Sequence, residues 1–70
     1  MLTKRQTQLY KFLKSYYKEH QMMPSFEEMK IFMNHKSKSS IFNMLGYIEW
    51  KGYIRKKEKH WRAIEIIKDL

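Results

Sequence analysis

The sequence predicts a small α+β fold in which three amphipathic helices precede a C-terminal two-stranded β-hairpin. Apolar residues recur with helical spacing in three successive segments, and after Gly52 the spacing shifts toward the alternation typical of strands. A chain of 70 residues has room for one hydrophobic core. We therefore expect a single domain over residues 1–70, without a separate catalytic lobe.

The composition favours a polyanionic partner. Lys and Arg number 15 against 7 Asp and Glu, which gives a formal net charge of +8. The chain has no cysteine, and its 3 histidines are too far apart in the sequence to suggest a zinc site. We expect no enzyme activity, no metal or other cofactor and no small-molecule substrate. Since no apolar run is long enough to span a bilayer, we also expect no membrane partner and a cytoplasmic location.

A capping box begins the first predicted helix. In the segment TKRQ, the side chains of Thr3 and Gln6 are spaced to accept hydrogen bonds from each other's backbone N–H groups. The helix is predicted from about Lys4 to about His20, because Pro24 disfavours helix at the residue before it. Its apolar stripe follows the spacing i, i+3, i+4, i+7 and consists of Leu9, Phe12, Leu13 and Tyr16.

The second predicted helix is short and begins with another capping box, formed by Ser25 and Glu28. It is predicted to end near Asn34, since asparagine tolerates the left-handed conformation common at helix ends. Only about two and a half turns fit, so packing against its neighbours must stabilise it. Its apolar stripe consists of Met29, Phe32 and Met33.

The third predicted helix spans about 38–51, is capped by Ser37 or Ser39 and ends at Gly52. Gly46 lies inside it, where glycine costs about 1 kcal/mol relative to alanine. We expect a neighbouring backbone or ring to approach closely at that position. The apolar stripe again has helical spacing and consists of Ile41, Met44, Leu45 and Ile48.

Two short strands are predicted after Gly52, over 53–56 and 61–67, with a turn at 57–60 between them. A short helix, a polar turn and a second helix match the helix-turn-helix, whose second helix enters the major groove of DNA. With the hairpin added, the predicted fold is a winged helix-turn-helix. Helix three would read the major groove, and the basic wing at 55–62 would contact phosphates.

Five segments in register resemble the N-terminal DNA-binding domain of the LexA repressors, over residues 2–67. They are LTKRQ at 2–6, PSFEEM at 24–29, SKSSI at 37–41, KGYIR at 51–55 and RAIEI at 62–66. The resemblance implies sequence-specific binding to a double-stranded DNA operator in the bacterial nucleoid, with repression of transcription as the outcome. It also implies two copies on paired half-sites, as a homodimer on DNA.

The sequence departs from that family in two respects. LexA proteins continue into a C-terminal domain with a self-cleavage site and a serine–lysine dyad, whereas this sequence ends at Leu70, so we expect no self-cleavage. In helix three, Phe42, Asn43, Tyr47 and Trp50 occupy positions where mostly polar or charged residues are expected. The operator of the family is therefore not carried over to this chain.

The start of helix three carries the candidate base-reading residues. Hydroxyl groups near a helix N-terminus either cap the helix or let its backbone approach phosphate, and a lysine there reaches a guanine edge or a phosphate. Asn43 is suited to pair with adenine. Phe42 covers a thymine methyl group, fills a gap against the wing or joins an exposed patch. The candidates are Ser37, Lys38, Ser39, Ser40, Phe42 and Asn43.

Phosphate contacts are predicted for cations near helix N-termini and in the wing. Such contacts are independent of sequence and strongly dependent on salt. A solvated basic loop is the alternative interpretation of the wing cations. The candidates are Lys4, Arg5, Lys36, Arg55, Lys56, Lys57, Lys59 and Arg62.

Two other functions stay open. In one of them the chain is a protein-interaction module on a winged-helix scaffold that binds another regulator or polymerase. Tyr47 and Trp50 would form its interface. In the other, charge alone coats DNA without sequence preference. DNA competition separates these functions, since specific readers prefer their site by roughly 10³ or more.

Overall fold

The computed structural model describes residues 2–34, 37–56 and 64–67 of the chain. Over these residues three helices precede an antiparallel pair of strands, which confirms the predicted α+β fold and its winged helix-turn-helix order. None of these three helices is long and apolar enough to cross a membrane. The elements are α1 (Lys4–His20), α2 (Phe26–Met33), α3 (Lys38–Trp50), β1 (Ile54–Lys56) and β2 (Ile64–Ile66).

Both predicted capping boxes are present. At α1 the Gln6 N–H donates to Thr3 Oγ1 at 3.2 Å, and the Thr3 N–H donates to Gln6 Oε1 at 3.1 Å. At α2 the Glu28 N–H donates to Ser25 Oγ at 3.1 Å, and the Ser25 N–H donates to Glu28 Oε1 at 2.9 Å. Each box pairs backbone donors at a helix start that have no partner within the helix.

Asn34 and Ser37 flank the turn between α2 and α3. Asn34 ends α2 in the left-handed conformation, with φ at 58°. Ser37 caps α3, because its Oγ accepts the Ser39 N–H at 3.0 Å, and this decides between the two predicted caps. His35 and Lys36 lie outside the described residues.

Gly46, inside α3, and Gly52, just after its end, have different roles. Gly52 follows Lys51 with φ at 86°, a conformation that favours glycine, and the predicted helix end is confirmed. The expectation of a close neighbour at Gly46 is wrong. A Cβ atom built there would meet no other part of the described chain within 4 Å, because Gly46 lies on an open side of the helix.

The hairpin begins one residue later than predicted. The Tyr53 N–H donates to the Ile48 carbonyl oxygen at 3.2 Å, which ties Tyr53 to the end of α3. The Ile67 N–H donates to the Tyr53 carbonyl oxygen at 2.9 Å, next to the strand pair. The predicted turn at 57–60 and residues 61–63 lie outside the described part of the chain. The strand register pairs Ile54 with Ile66, Arg55 with Glu65 and Lys56 with Ile64.

The core lies between the three helices and the inner side of the hairpin. Of the predicted α2 stripe, Met29 and Met33 are buried. Phe32 is 51% exposed, because the short helix turns only the two methionines fully into the core. Tyr10, which helical spacing places at the edge of the α1 stripe, is fully buried and packs edge-on against Tyr53 with ring centroids 5.5 Å apart. The buried apolar residues are Leu2, Leu9, Tyr10, Leu13, Met23, Met29, Met33, Ile41, Leu45, Ile48, Ile54 and Ile64.

Glu28 gives the α2 cap a pH dependence. The Ser25 N–H, followed by the Tyr16 hydroxyl 2.8 Å from Glu28 Oε2, holds the pKa of the Glu28 carboxyl below its ordinary value. Such a carboxyl adds stability above its ordinary pKa and loses it as the pH falls through the folded-state pKa. We predict that Glu28→Gln, which keeps a cap acceptor, flattens this acid loss in thermal melts.

Tyr16→Phe is the companion variant, because it removes the hydroxyl donor and keeps the ring. It should flatten the acid loss only in part, since the Ser25 N–H bond remains. An acid dependence in Glu28→Gln equal to that of the unmodified chain would contradict this role of the cap.

Candidate nucleic-acid interface

Burial decides which side of α3 faces outward. Ile41, Leu45 and Ile48 are fully buried and recur at i, i+4 and i+7, so this side of the helix is turned into the core. The opposite side carries residues that are exposed or half-buried. This outer face of α3 consists of Ser39, Phe42, Asn43, Gly46, Tyr47 and Trp50.

The candidate base-reading residues lie together at the N-terminal end of α3. They occupy its cap and its first two turns, and the side chain of Ser40 among them is half-buried at the edge of the core. A helix that enters the major groove presents this N-terminal part to the base edges. The exposed members of the set are Ser37, Lys38, Ser39, Phe42 and Asn43.

Aromatic rings continue along the outer face of α3. The Phe42 ring lies 6.4 Å from the Phe26 ring of α2, with the planes tilted by 51°, and Phe42 stays 51% exposed. Tyr47 is 57% exposed and Trp50, the last residue of the helix, is 80% exposed. An open groove follows this face and is lined by Phe42, Asn43, Gly46, Tyr47 and Trp50.

The two charged side chains of α3 contact other elements. Lys38 Nζ lies 3.9 Å from Glu27 Oε2 on α2, and Glu49 Oε2 accepts the Lys56 N–H of β1 at 3.0 Å. Lys38 is nevertheless exposed at the start of the helix, whereas Glu49 is half-buried. The outer face itself presents three aromatic rings, the hydroxyl groups of Ser39 and Tyr47 and the amide of Asn43.

Two side chains of α1 form hydrogen bonds at the C-terminal ends of α2 and α3. Arg5 Nη2 donates to the Met33 carbonyl oxygen at 2.9 Å, at the end of α2. Lys51 Nζ donates to Gln6 Oε1 at 3.1 Å, directly after α3. These contacts join the end of α2 and the end of α3 to α1, and Arg5 thus has a structural partner besides its predicted phosphate role.

The other candidate phosphate-binding cations are spread over the chain. Lys4 is exposed at the start of α1, and Lys56 is half-buried at the end of β1. Arg55 is exposed and forms an ion pair with Glu65 across the hairpin. Lys36, Lys57, Lys59 and Arg62 lie outside the described residues.

Glu49 and Gly46 were not among the predicted site residues. Glu49 contributes by joining the end of α3 to β1, and no local pattern in the sequence signals this contact. Gly46 contributes the open position of the outer face. Its spacing of i+3 from Asn43 and i+4 from Phe42 is a signal that could have placed it there.

This fold, with the exposed side of α3, defines a DNA-binding domain of the winged helix-turn-helix class. The chain belongs to the LexA DNA-binding domain family, because the family model described as LexA DNA binding domain matches residues 1–63.

The chain spans less than a third of the length of two relatives that it resembles. It is 40% identical over 68 residues to the LexA repressor of Erythrobacter litoralis (strain HTCC2594). It is 37% identical over 68 residues to the LexA repressor of Granulibacter bethesdensis (strain ATCC BAA-1260 / CGDNIH1). Both alignments cover 97% of this chain, but only 29% and 28% of the respective repressors.

Glu49 offers a test of the link between α3 and the hairpin. Glu49→Ala leaves the partly buried Lys56 N–H without its acceptor, and we predict a loss of about 1–3 kcal/mol in the free energy of unfolding. Urea denaturation measures this loss. Glu49→Gln is the control, because its amide oxygen still accepts the bond and should restore most of the stability. Equal stability of Glu49→Ala and the unmodified chain would contradict the contact.

Proposed function

We propose that the chain binds a specific double-stranded DNA site and represses transcription there, at the bacterial chromosome in the cytoplasm. Membership of the LexA DNA-binding domain family supports DNA binding. The name LexA repressor, which both relatives carry, supports repression. In this proposal the outer face of α3 enters the major groove, and the basic hairpin lies along the phosphates of an adjacent strand.

The observation that carries the proposal is the exposed N-terminal half of α3. Its buried side is packed on the core through Ile41 and Leu45, so the helix is rigidly held while its first turns stay open to a partner. Asn43 on the exposed side supplies two donors and an acceptor for a base edge. Ser37 caps the helix and Ser39 lies in its first turn, and short hydroxyl side chains at this end would let the helix N-terminus approach a phosphate.

Charge supports the phosphate contacts. The formal net charge of +8 attracts a duplex, and the densest basic run, at 55–59, begins in β1 directly beside the end of α3. Because Glu49 joins α3 to Lys56, a duplex held against α3 lies near this run. We propose that the wing cations and Lys4 bind phosphates and leave sequence reading to α3.

Selection from a random pool of DNA duplexes, followed by competition at about 150 mM salt, tests the proposal. We predict one preferred sequence, bound roughly 10³-fold or more tightly than unselected DNA. A ratio near one would replace the proposal by charge-only coating. Two half-sites in the recovered sequence, about 10 base pairs apart or a multiple of this, would indicate two copies on DNA.

Asn43 provides the sharpest single-residue test. We predict that Asn43→Ala lowers the preference for one base pair of the recovered site by about 1–3 kcal/mol, because a bidentate amide contact is lost. Binding to unselected DNA should not change, since that binding depends on phosphates. Gln8→Ala, which removes an exposed amide on α1, is the matched control. An equal loss on all sequences would contradict the readout role.

The exposure of Tyr47 and Trp50 favours a second function, a protein-interaction module that binds another regulator or polymerase. Both side chains lie in the last turn of α3, away from the N-terminal part that a recognition helix presents to base edges. This function predicts that the competition experiment detects no DNA binding at all, unlike charge-only coating, which binds every duplex equally. It is compatible with the same fold, because the outer face is available to either partner.

A further inference from the structure

The outer face of α3 limits which base edges it is able to recognise. In the major groove, guanine is read most often by arginine or lysine and cytosine by a carboxylate. None of the six residues of the outer face is an arginine, a lysine or a carboxylate, and the exposed Lys38 lies at the start of the helix, outside these six. An amide reads adenine, and an apolar group covers the methyl group of thymine.

We propose that the outer face of α3 is a reader of A·T base pairs, in which the Phe42 ring packs against a thymine 5-methyl group and Asn43 binds an adenine. The inference rests on the proposed function, because it assumes that this face enters the major groove. It adds the class of DNA site that the chain selects and the group that Phe42 recognises.

The geometry places the two readers side by side. Phe42 and Asn43 are consecutive residues at the same level of the outer face, so they meet the same or neighbouring base pairs. The Phe26 ring, 6.4 Å away, supports Phe42 from the α2 side while half of Phe42 stays exposed. An apolar group supported in this way buries a methyl group with little loss of side-chain freedom.

Gly46 lets the duplex approach this face. It lies one turn after Phe42 and Asn43, between them and Trp50, in the lining of the groove. A Cβ atom at this position would meet nothing within 4 Å in the described chain, so packing there does not require glycine. A glycine that weakens the helix without such a requirement is explained by close approach of a ligand to the backbone.

The test compares two versions of the duplex recovered by selection. In the second version deoxyuridine replaces each thymine of the recovered site in turn, which removes the 5-methyl group and keeps base pairing. For the unmodified chain we expect at least one position where binding weakens about fourfold, the factor for burying one methyl-sized group. Phe42→Ala should bind both versions equally at that position.

Phe32→Ala is the matched control, because Phe32 and Phe42 are both 51% exposed and each stacks or packs on another ring. It should keep the deoxyuridine effect. Gly46→Ala is the second variant, and its melting temperature should rise by about 4–8 °C, as expected for alanine in place of a helical glycine. Its affinity for the recovered duplex should nevertheless fall about tenfold, because the added methyl group occupies space that the DNA needs in close contact.

The outcomes separate this inference from the proposed function. A preferred sequence that tolerates deoxyuridine at every thymine, or that consists of G·C pairs alone, overturns the inference and leaves specific binding intact. No preferred sequence overturns both. Phe42→Ala binding that equals that of the unmodified chain on every duplex also overturns the inference.

Discussion

The orientation of α3 about its own axis is the constraint on which the rest of the molecule depends. Ile41, Leu45 and Ile48 are fully buried along one side of the helix. Burial of each such side chain contributes about 1.5–3 kcal/mol, so any rotation that exposes them is opposed strongly in a domain of this size. The outer face is therefore determined by the core, and its residues are presented to a partner without further ordering of the backbone.

Contacts outside the core then hold α3 relative to its neighbours. Arg5 bonds to the end of α2, and Lys51 bonds to Gln6 of α1 directly after α3. Glu49 joins the last turn of α3 to β1. The positions of α3 and the hairpin are thus coupled, so a partner that contacts both meets them in one fixed arrangement.

Local signals in the sequence were sufficient for the helices and insufficient for the tertiary contacts. Capping boxes at Thr3 and Ser25 predict the helix starts, because their bonds join residues three apart. The exposure of Phe32 was not predicted, since it depends on how a short helix packs on α1 and α3. The Glu49 contact depends likewise on how β1 folds back against the last turn of α3. The place of Gly46 on the outer face follows from helical spacing, whereas the open space around it depends on packing. The base-reading and phosphate-binding roles remain predictions from residue type and position.

The most direct test of the account is an NMR measurement of intermolecular nuclear Overhauser effects between the chain and its selected duplex. The central claim is that the outer face of α3 lies in the major groove. It predicts cross-peaks from the Phe42 ring and the Asn43 side-chain amide to major-groove protons, including a thymine methyl group. Cross-peaks to the duplex from other surfaces, with none from α3, would contradict the claim.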